Sequence, residues 1–202
     1  MSEAKQIKIR PIKKTMLGVR IVGITPLIHH QFSAKAREQM RRKKEGSKTK
    51  TREALNAQAE FEAASYFLSD GSPAIPVSQI KNAMCSAAHK DLGFEKKLVR
   101  SGIFVHADEG FLCRLDTPGS KMREDVVRVG MGSADLRYRP CYEEWGVDLR
   151  IEFDADQVSP EDIVNLLERA GFGVGCGEWR PEKDGEFGRF RVDRDQQIRV
   201  SS

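Results

Sequence analysis

The sequence predicts an α+β fold built on an antiparallel sheet, and three observations predict it. Segments of alternating apolar residues intermix with segments of helical periodicity, without regular strand–helix alternation. One stretch carries a complete helix-start signal, and a glycine-rich stretch follows that helix directly. The 202 residues have the length of one domain, or of one domain with a large insertion, and can bury a sizeable core.

The elements follow in order. Residues 1–14 are basic and weakly alternating (Ile7, Ile9, Ile12), as in an arm or an edge strand. Over 15–28 the alternation is strong: Leu17, Val19 and Ile21 share one face of a strand that Gly23 and Pro26 end. Ser33 is the expected N-cap of a helix over 34–45, which runs into the polar stretch GSKTKT. Thr51 caps a second expected helix with Phe61 and Tyr66 at helical spacing, broken by SDGSP. A third helix spans Pro76 to His89, with Ser78 as its cap and Ile80, Met84 and Ala87 on one face. Residues 98–107 and 110–116 read as a hairpin, and 125–131 and 145–154 as further strands. In the last of these Val147, Leu149, Ile151 and Phe153 alternate. Ser159, Pro160, Glu161 and Asp162 open a helix through Ala170: a cap, a proline at the first helical position, then acids in the first turn. A glycine-rich loop over 171–188 and a strand over 187–193 close the order. A split β-α-β, ferredoxin-like core with an insertion is the economical arrangement.

Composition excludes several classes. No apolar run approaches the roughly 18–20 residues that span a bilayer, so an integral membrane protein is excluded. The N-terminus has no apolar h-region, and a cytoplasmic location is expected. The four cysteines form no CxxC pair; they are read as reduced, buried thiols rather than a zinc ribbon or redox motif. No cofactor is implied.

The net charge of +4 hides an asymmetry. Residues 1–52 carry +12 and residues 53–202 carry −8. Lys35, Arg37, Arg41, Arg42, Lys43, Lys44, Lys48, Lys50 and Arg52 lie within eighteen residues. On a helix these cations surround much of the circumference, and like charges at i,i+4 repel unless a polyanion relieves them. The asymmetry fits a nucleic-acid partner held through its phosphates; it also fits a solvated charged helix with a basic arm. Stacking faces for a single strand are Phe32, Tyr138, which Arg137 and Arg139 flank, and Trp179.

The segment from 171 to 190 holds Gly171, Gly173, Gly175, Gly177, Gly185 and Gly188, together with Trp179, Arg180, Lys183 and Arg189. Such a loop can set backbone N–H groups and cations against phosphates. It can equally be a flexible connection with Gly171 as the helix C-cap. The helix–loop–strand order and the spacing are wrong for a dinucleotide fingerprint, and there is no P-loop.

Three segments together resemble the RAMP superfamily, the ferredoxin-like proteins that form the RNA-binding backbone and the RNA-processing nucleases of CRISPR effector complexes. VGITPLIHH (22–30) resembles the family's first-strand turn. AIPVSQIKNAMCSAA (74–88) resembles its helix start through Ile75, Pro76, Ser78, Ile80, Lys81, Ala83 and Met84, with Val77 and Asn82 in place of glycines. GFGVGCGEWRPEKDGEFGRF resembles its C-terminal glycine-rich signature through Gly185, Phe187, Gly188, Arg189 and Phe190, with Glu186 as a departure. Small prophage proteins are similar more loosely. The resemblance implies an RRM-like fold as a single domain over 1–202, with residues 31–73 inserted as helices. It implies phosphate contacts for Lys81 and Arg189, and subunits stacked head to tail along RNA.

Chemistry is weakly indicated. His29 and His30 follow the first strand; some RAMP nucleases place a catalytic histidine in the first helical region, where it would act as general base on a ribose 2′-OH. The carboxylates Glu143, Glu144, Asp148, Glu152, Asp154 and Asp156 cluster in and around a strand, and Asp148, Glu152, Asp154 and Asp156 fall on its solvated face; a Mg²⁺ site needs two or three converging carboxylates, which Glu124, Asp125 and Asp135 could join. The expectation is a non-catalytic protein that oligomerises along single-stranded RNA or DNA and has no membrane partner. The alternatives are a metal-independent endoribonuclease using His29 or His30, and a phage interaction or inhibitor module on the same fold.

Overall fold

The computed structural model of the protein describes residues 11–31, 41, 44, 56–89, 93–129 and 133–201. In chain order its elements are β1 (Lys14–Gly23), β2 (Leu27–Ile28), α1 (Ala57–Ala64), β3 (Ala74–Pro76), α2 (Val77–Ala87), α3 (Lys96–Gly102) and β4 (Ile103–His106). There follow β5 (Leu112–Arg114), β6 (Lys121–Val129), β7 (Ser133–Tyr142), β8 (Gly146–Asp154), α4 (Pro160–Gly173), β9 (Phe190–Val192) and β10 (Arg199–Ser201). The architecture is α+β, with antiparallel sheets.

Strict alternation makes β1 and β8 the centre of the main sheet. Their register sets Leu17 opposite Ile151, Val19 opposite Leu149 and Ile21 opposite Val147, so both apolar sets share one face. β4 pairs with the far edge of β8, while β9 and β10 pair with successive stretches of β1. The order is β9/β10–β1–β8–β4. The buried face meets Ile80 and Met84 of α2 and Ile163, Leu166, Leu167 and Ala170 of α4. Helix α4 starts where its cap requires. Ser159 Oγ accepts the Asp162 N–H at 3.1 Å, and the Asp162 carboxylate accepts the Ser159 N–H at 3.0 Å. A second sheet, β2–β7–β6, and a two-stranded pair, β3–β5, complete the fold, with α1 packed against β7.

The structure corrects several expectations. Residues 98–107 and 110–116 form no hairpin: 96–102 is helical, β4 pairs with β8, and β5 pairs with β3. Short apolar runs fit helix and strand alike, and burial of Val99 and Gly102 under the sheet edge decides here. Ser78 lies inside the first turn of α2, whose N-cap is Pro76. Helix α1 starts at Asn56, whose side chain accepts the Ala59 N–H at 3.1 Å, and it ends before Tyr66. Thr51, Ser33 and the helix over 34–45 lie outside the described residues, except that Arg41 and Lys44 are helical and exposed. Gly171 does not end its helix; α4 continues to Gly173 and Val174 is the C-cap. Strand β7 escaped sequence reading because Asp135, Arg137 and Arg139 replace its apolar face. The four cysteines are free thiols; Cys113 and Cys176 are buried, while Cys85 and Cys141 are only half-buried.

Candidate nucleic-acid interface

Pairing of β6 with β7 sets Arg123 opposite Arg139 and Asp125 opposite Arg137, and these four share one face. Two guanidinium groups opposite one another repel. Asp125 relieves them: it accepts Arg139 Nη2 at 2.7 Å and Arg123 Nε at 2.8 Å, with Asp125 and Arg139 both buried. The loop after α4 closes over this face. The Arg123 guanidinium lies 5.2 Å from the Trp179 ring centre and 4.9 Å from that of Phe187, and Arg139 lies 5.2 Å from Trp179. Glu178 stands 3.7 Å from Arg139. The structure thus brings Arg137, Arg139 and Trp179 to one place. It adds Arg123, which sequence reasoning missed and which the cross-strand register places opposite Arg139, and Phe187, which the sequence marked only as part of the glycine-rich signature. The Trp179 ring is occupied by guanidinium groups, so it is not an open stacking face; Arg123 and Arg137 keep about a third of their side chains in solvent (35% and 31%).

The glycines serve this closure rather than an open anion cradle. Gly177 (φ 73°) donates its N–H to Gln79 Oε1 at 3.1 Å, and a Cβ there would meet the Ile28 carbonyl. Gly188 (φ 65°) donates to Pro26 O at 2.8 Å, and a Cβ there would overlap the Cys176 carbonyl. The N–H groups of Gly175 and Gly185 go to Ala170 O and Arg180 O. Trp179 itself adopts φ 51°, a conformation a large side chain rarely takes. The expected phosphate-facing amides are therefore already engaged within the chain.

His29 is fully buried, edge-on to Tyr66 (5.5 Å) and Tyr142 (5.3 Å), with neither ring nitrogen hydrogen-bonded among the described residues. Burial pushes its pKa down to about 3. No ribose can reach it. His30 lies beside Arg137, whose Nη1 is 3.2 Å from Nε2; burial first, then the Arg137 charge, lowers its pKa.

The remaining candidates scatter. Lys35, Arg37, Arg42, Lys43, Lys48, Lys50, Arg52 and Phe32 lie outside the described residues. Lys81 turns its ammonium to the carbonyls of Val99 and Ile103, 5.3 Å from the Phe104 ring centre. Tyr138 faces away from Arg137 and Arg139, and its hydroxyl bonds Glu124 across the hairpin. Arg180 is held by Glu182 at 2.8 Å and by Gly177 O at 3.0 Å, while Lys183 is exposed. Arg189 lies 5.4 Å from the Phe172 ring centre, and its main chain clasps the turn at Ile24 and Thr25.

The open face of the main sheet is a ladder of ion pairs. Arg20 bonds Asp116 and reaches Asp148 at 2.9 Å, and Glu152 takes His106 at 2.9 Å and Lys14 at 3.2 Å. Among the described residues no three His, Cys, Asp or Glu side chains gather as metal ligands, and no helix is long and apolar enough to cross a membrane.

No family model matches the chain, and no curated protein matches it. Among solved structures it is similar to a chain from the cryo-EM structure of the type III-B Cmr-beta bound to cognate target RNA. The TM-score is 0.50 at 13% identity, over 93% of this chain and 61% of that one, so the protein spans under two thirds of the length of its neighbour. This likeness is one of fold alone.

Proposed function

We propose that the protein is a RAMP-like, non-catalytic binder of single-stranded nucleic acid, RNA before DNA, that lines up with copies of itself along the strand. One observation carries the proposal: the separation of charge. Nine cations lie in the eighteen residues from Lys35 to Arg52, and Arg41 and Lys44 among them are helical and exposed. On the open sheet face of the acidic body, Asp148 and Glu152 are paired with Arg20 and Lys14. The strand order β9–β1–β8–β4 with α2 and α4 on one face supports a ferredoxin-like core, with residues 31–73 as its insertion. The preference for RNA rests on the neighbour's being bound to its cognate target RNA.

The open sheet face carries carboxylates and, as rings among its described strand residues, Phe104 and His106. With His106 bonded to Glu152 at 2.9 Å and the Lys81 ammonium over the Phe104 ring, it offers no open stacking pair of the kind by which RRM sheets hold bases, and the strand runs on the side of the helices and the hairpin. The test is anisotropy of matched fluorescent RNA and DNA strands at two salt concentrations, with strand length checked afterwards. Intact RNA should bind tightly, and log affinity should fall by about 0.7 per phosphate contact for each decade of salt. Absence of binding at low salt would overturn the proposal. A shortened strand, with cleavage lost in His30→Ala, would replace it by the endoribonuclease reading.

A further inference from the structure

Between helices α2 and α3 lies a cleft of about 250 Å³, open to solvent and lined by Lys81, Asn82, Cys85, Ser86, Lys96 and Arg100. Positions 81, 82, 85 and 86 share one face of α2, and 96 and 100 are one turn apart on α3. Every charged group in the lining is a cation. Lys96 and Arg100 form no ion pair among the described residues, although their i,i+4 spacing makes them repel. Lys81 is half-buried at the inner wall with two of its three N–H bonds on backbone carbonyls. At the rim, Ser86 donates to the Glu182 carboxylate, which Arg180 also holds, so that acid is already neutralised.

We infer that this cleft is a phosphate-binding site, with Lys96 and Arg100 as its principal ligands and Lys81 and the Asn82 amide behind them. The forked guanidinium of Arg100 suits two oxygens of one phosphate, and the ammonium groups supply point charge. The lining has no aliphatic or aromatic core residue, whereas a pocket that buries the body of a small molecule is mostly apolar. Only the charged group of the ligand enters, and the rest stays outside. This fits a phosphodiester of a strand that passes over the cleft; a free nucleotide monophosphate carries the same chemistry. The strand as source rests on the proposed function, but the site does not.

The test uses the full chain and the exposed pair Lys96→Gln/Arg100→Gln, whose melting temperature should stay at the wild-type value. Two probes are used: single-stranded RNA by anisotropy at two salt concentrations, and AMP or inorganic phosphate by thermal shift. The variant should bind RNA about tenfold more weakly at low salt, with a salt slope smaller by about 0.7. If the wild type binds no strand but AMP stabilises it and not the variant, the site stands with the monoester as its ligand, and the proposed function alone falls. Equal responses of variant and wild type to both probes would overturn the site. Lys81→Gln is a second check. It should lose phosphate binding and also destabilise α3, since Lys81 ties the carbonyls at its end.

Discussion

His29 shows how a single position changes meaning between sequence and structure. Beside His30, after a strand, it reads as a general base; in the fold it is a neutral ring wedged between Tyr66 and Tyr142. Its folded pKa of about 3 lies below the unfolded value near 6.5. Between those limits the unfolded chain binds a proton that the folded chain does not, so stability is full above about pH 6.5 and falls as the pH falls. Each unit within that window costs about 1.4 kcal/mol. Urea unfolding at pH 7 and pH 5 should show this loss in the wild type and a smaller one in His29→Phe, whose ring suits the same aromatic neighbours. An equal loss in both would show that His29 is protonated inside the fold. Arg139 changes meaning in the same way. It reads as a surface phosphate contact, yet it is buried against Asp125, and its guanidinium also lies over the Trp179 ring.

At the scale of elements, the three segments that carry the family resemblance meet in space. The glycine-rich loop bonds Ile28 and Pro26 of the first segment through Glu178 and Gly188, and Gln79 of the second through Gly177. The glycines are needed because backbone meets backbone there. Gly188→Ala would force a Cβ into the Cys176 carbonyl at a positive φ, and should cost on the order of 2–4 kcal/mol. Chemical denaturation measures this directly; a loss below 0.5 kcal/mol would show that the loop is loosely held. The helix α4 was legible because its cap, its first-turn acids and its apolar stripe agree. The hairpin β6–β7 was legible only in part, since β7 pairs its arginines with carboxylates and aromatics instead of alternating apolar residues.

At the scale of the molecule, charge decides which surface meets a polyanion. Asp148 and Glu152 face solvent on the open sheet side, each already paired with cations. Replacing them as Asp148→Asn/Glu152→Gln should change RNA affinity less than twofold if the strand lies on the side of the helices. A several-fold gain would place the strand on the sheet face, because two repelling charges would have been removed. The same experiment in high salt should show no difference between variant and wild type, since exposed charges are screened there.

The sequence by itself determined the α+β class, the alternation that faces β1 and β8 to one core, and the start of α4, because period and capping act within one element. It also determined the uneven charge, which needs no coordinates. Only the tertiary structure decided that β4 pairs with β8, that His29 is enclosed, that Trp179 is covered by arginines, and that Lys96 and Arg100 meet Lys81 around one cleft. Each of these depends on contacts between residues far apart in the chain. Local pattern carries no information about such contacts, because burial and charge pairing are properties of the neighbour, not of the residue.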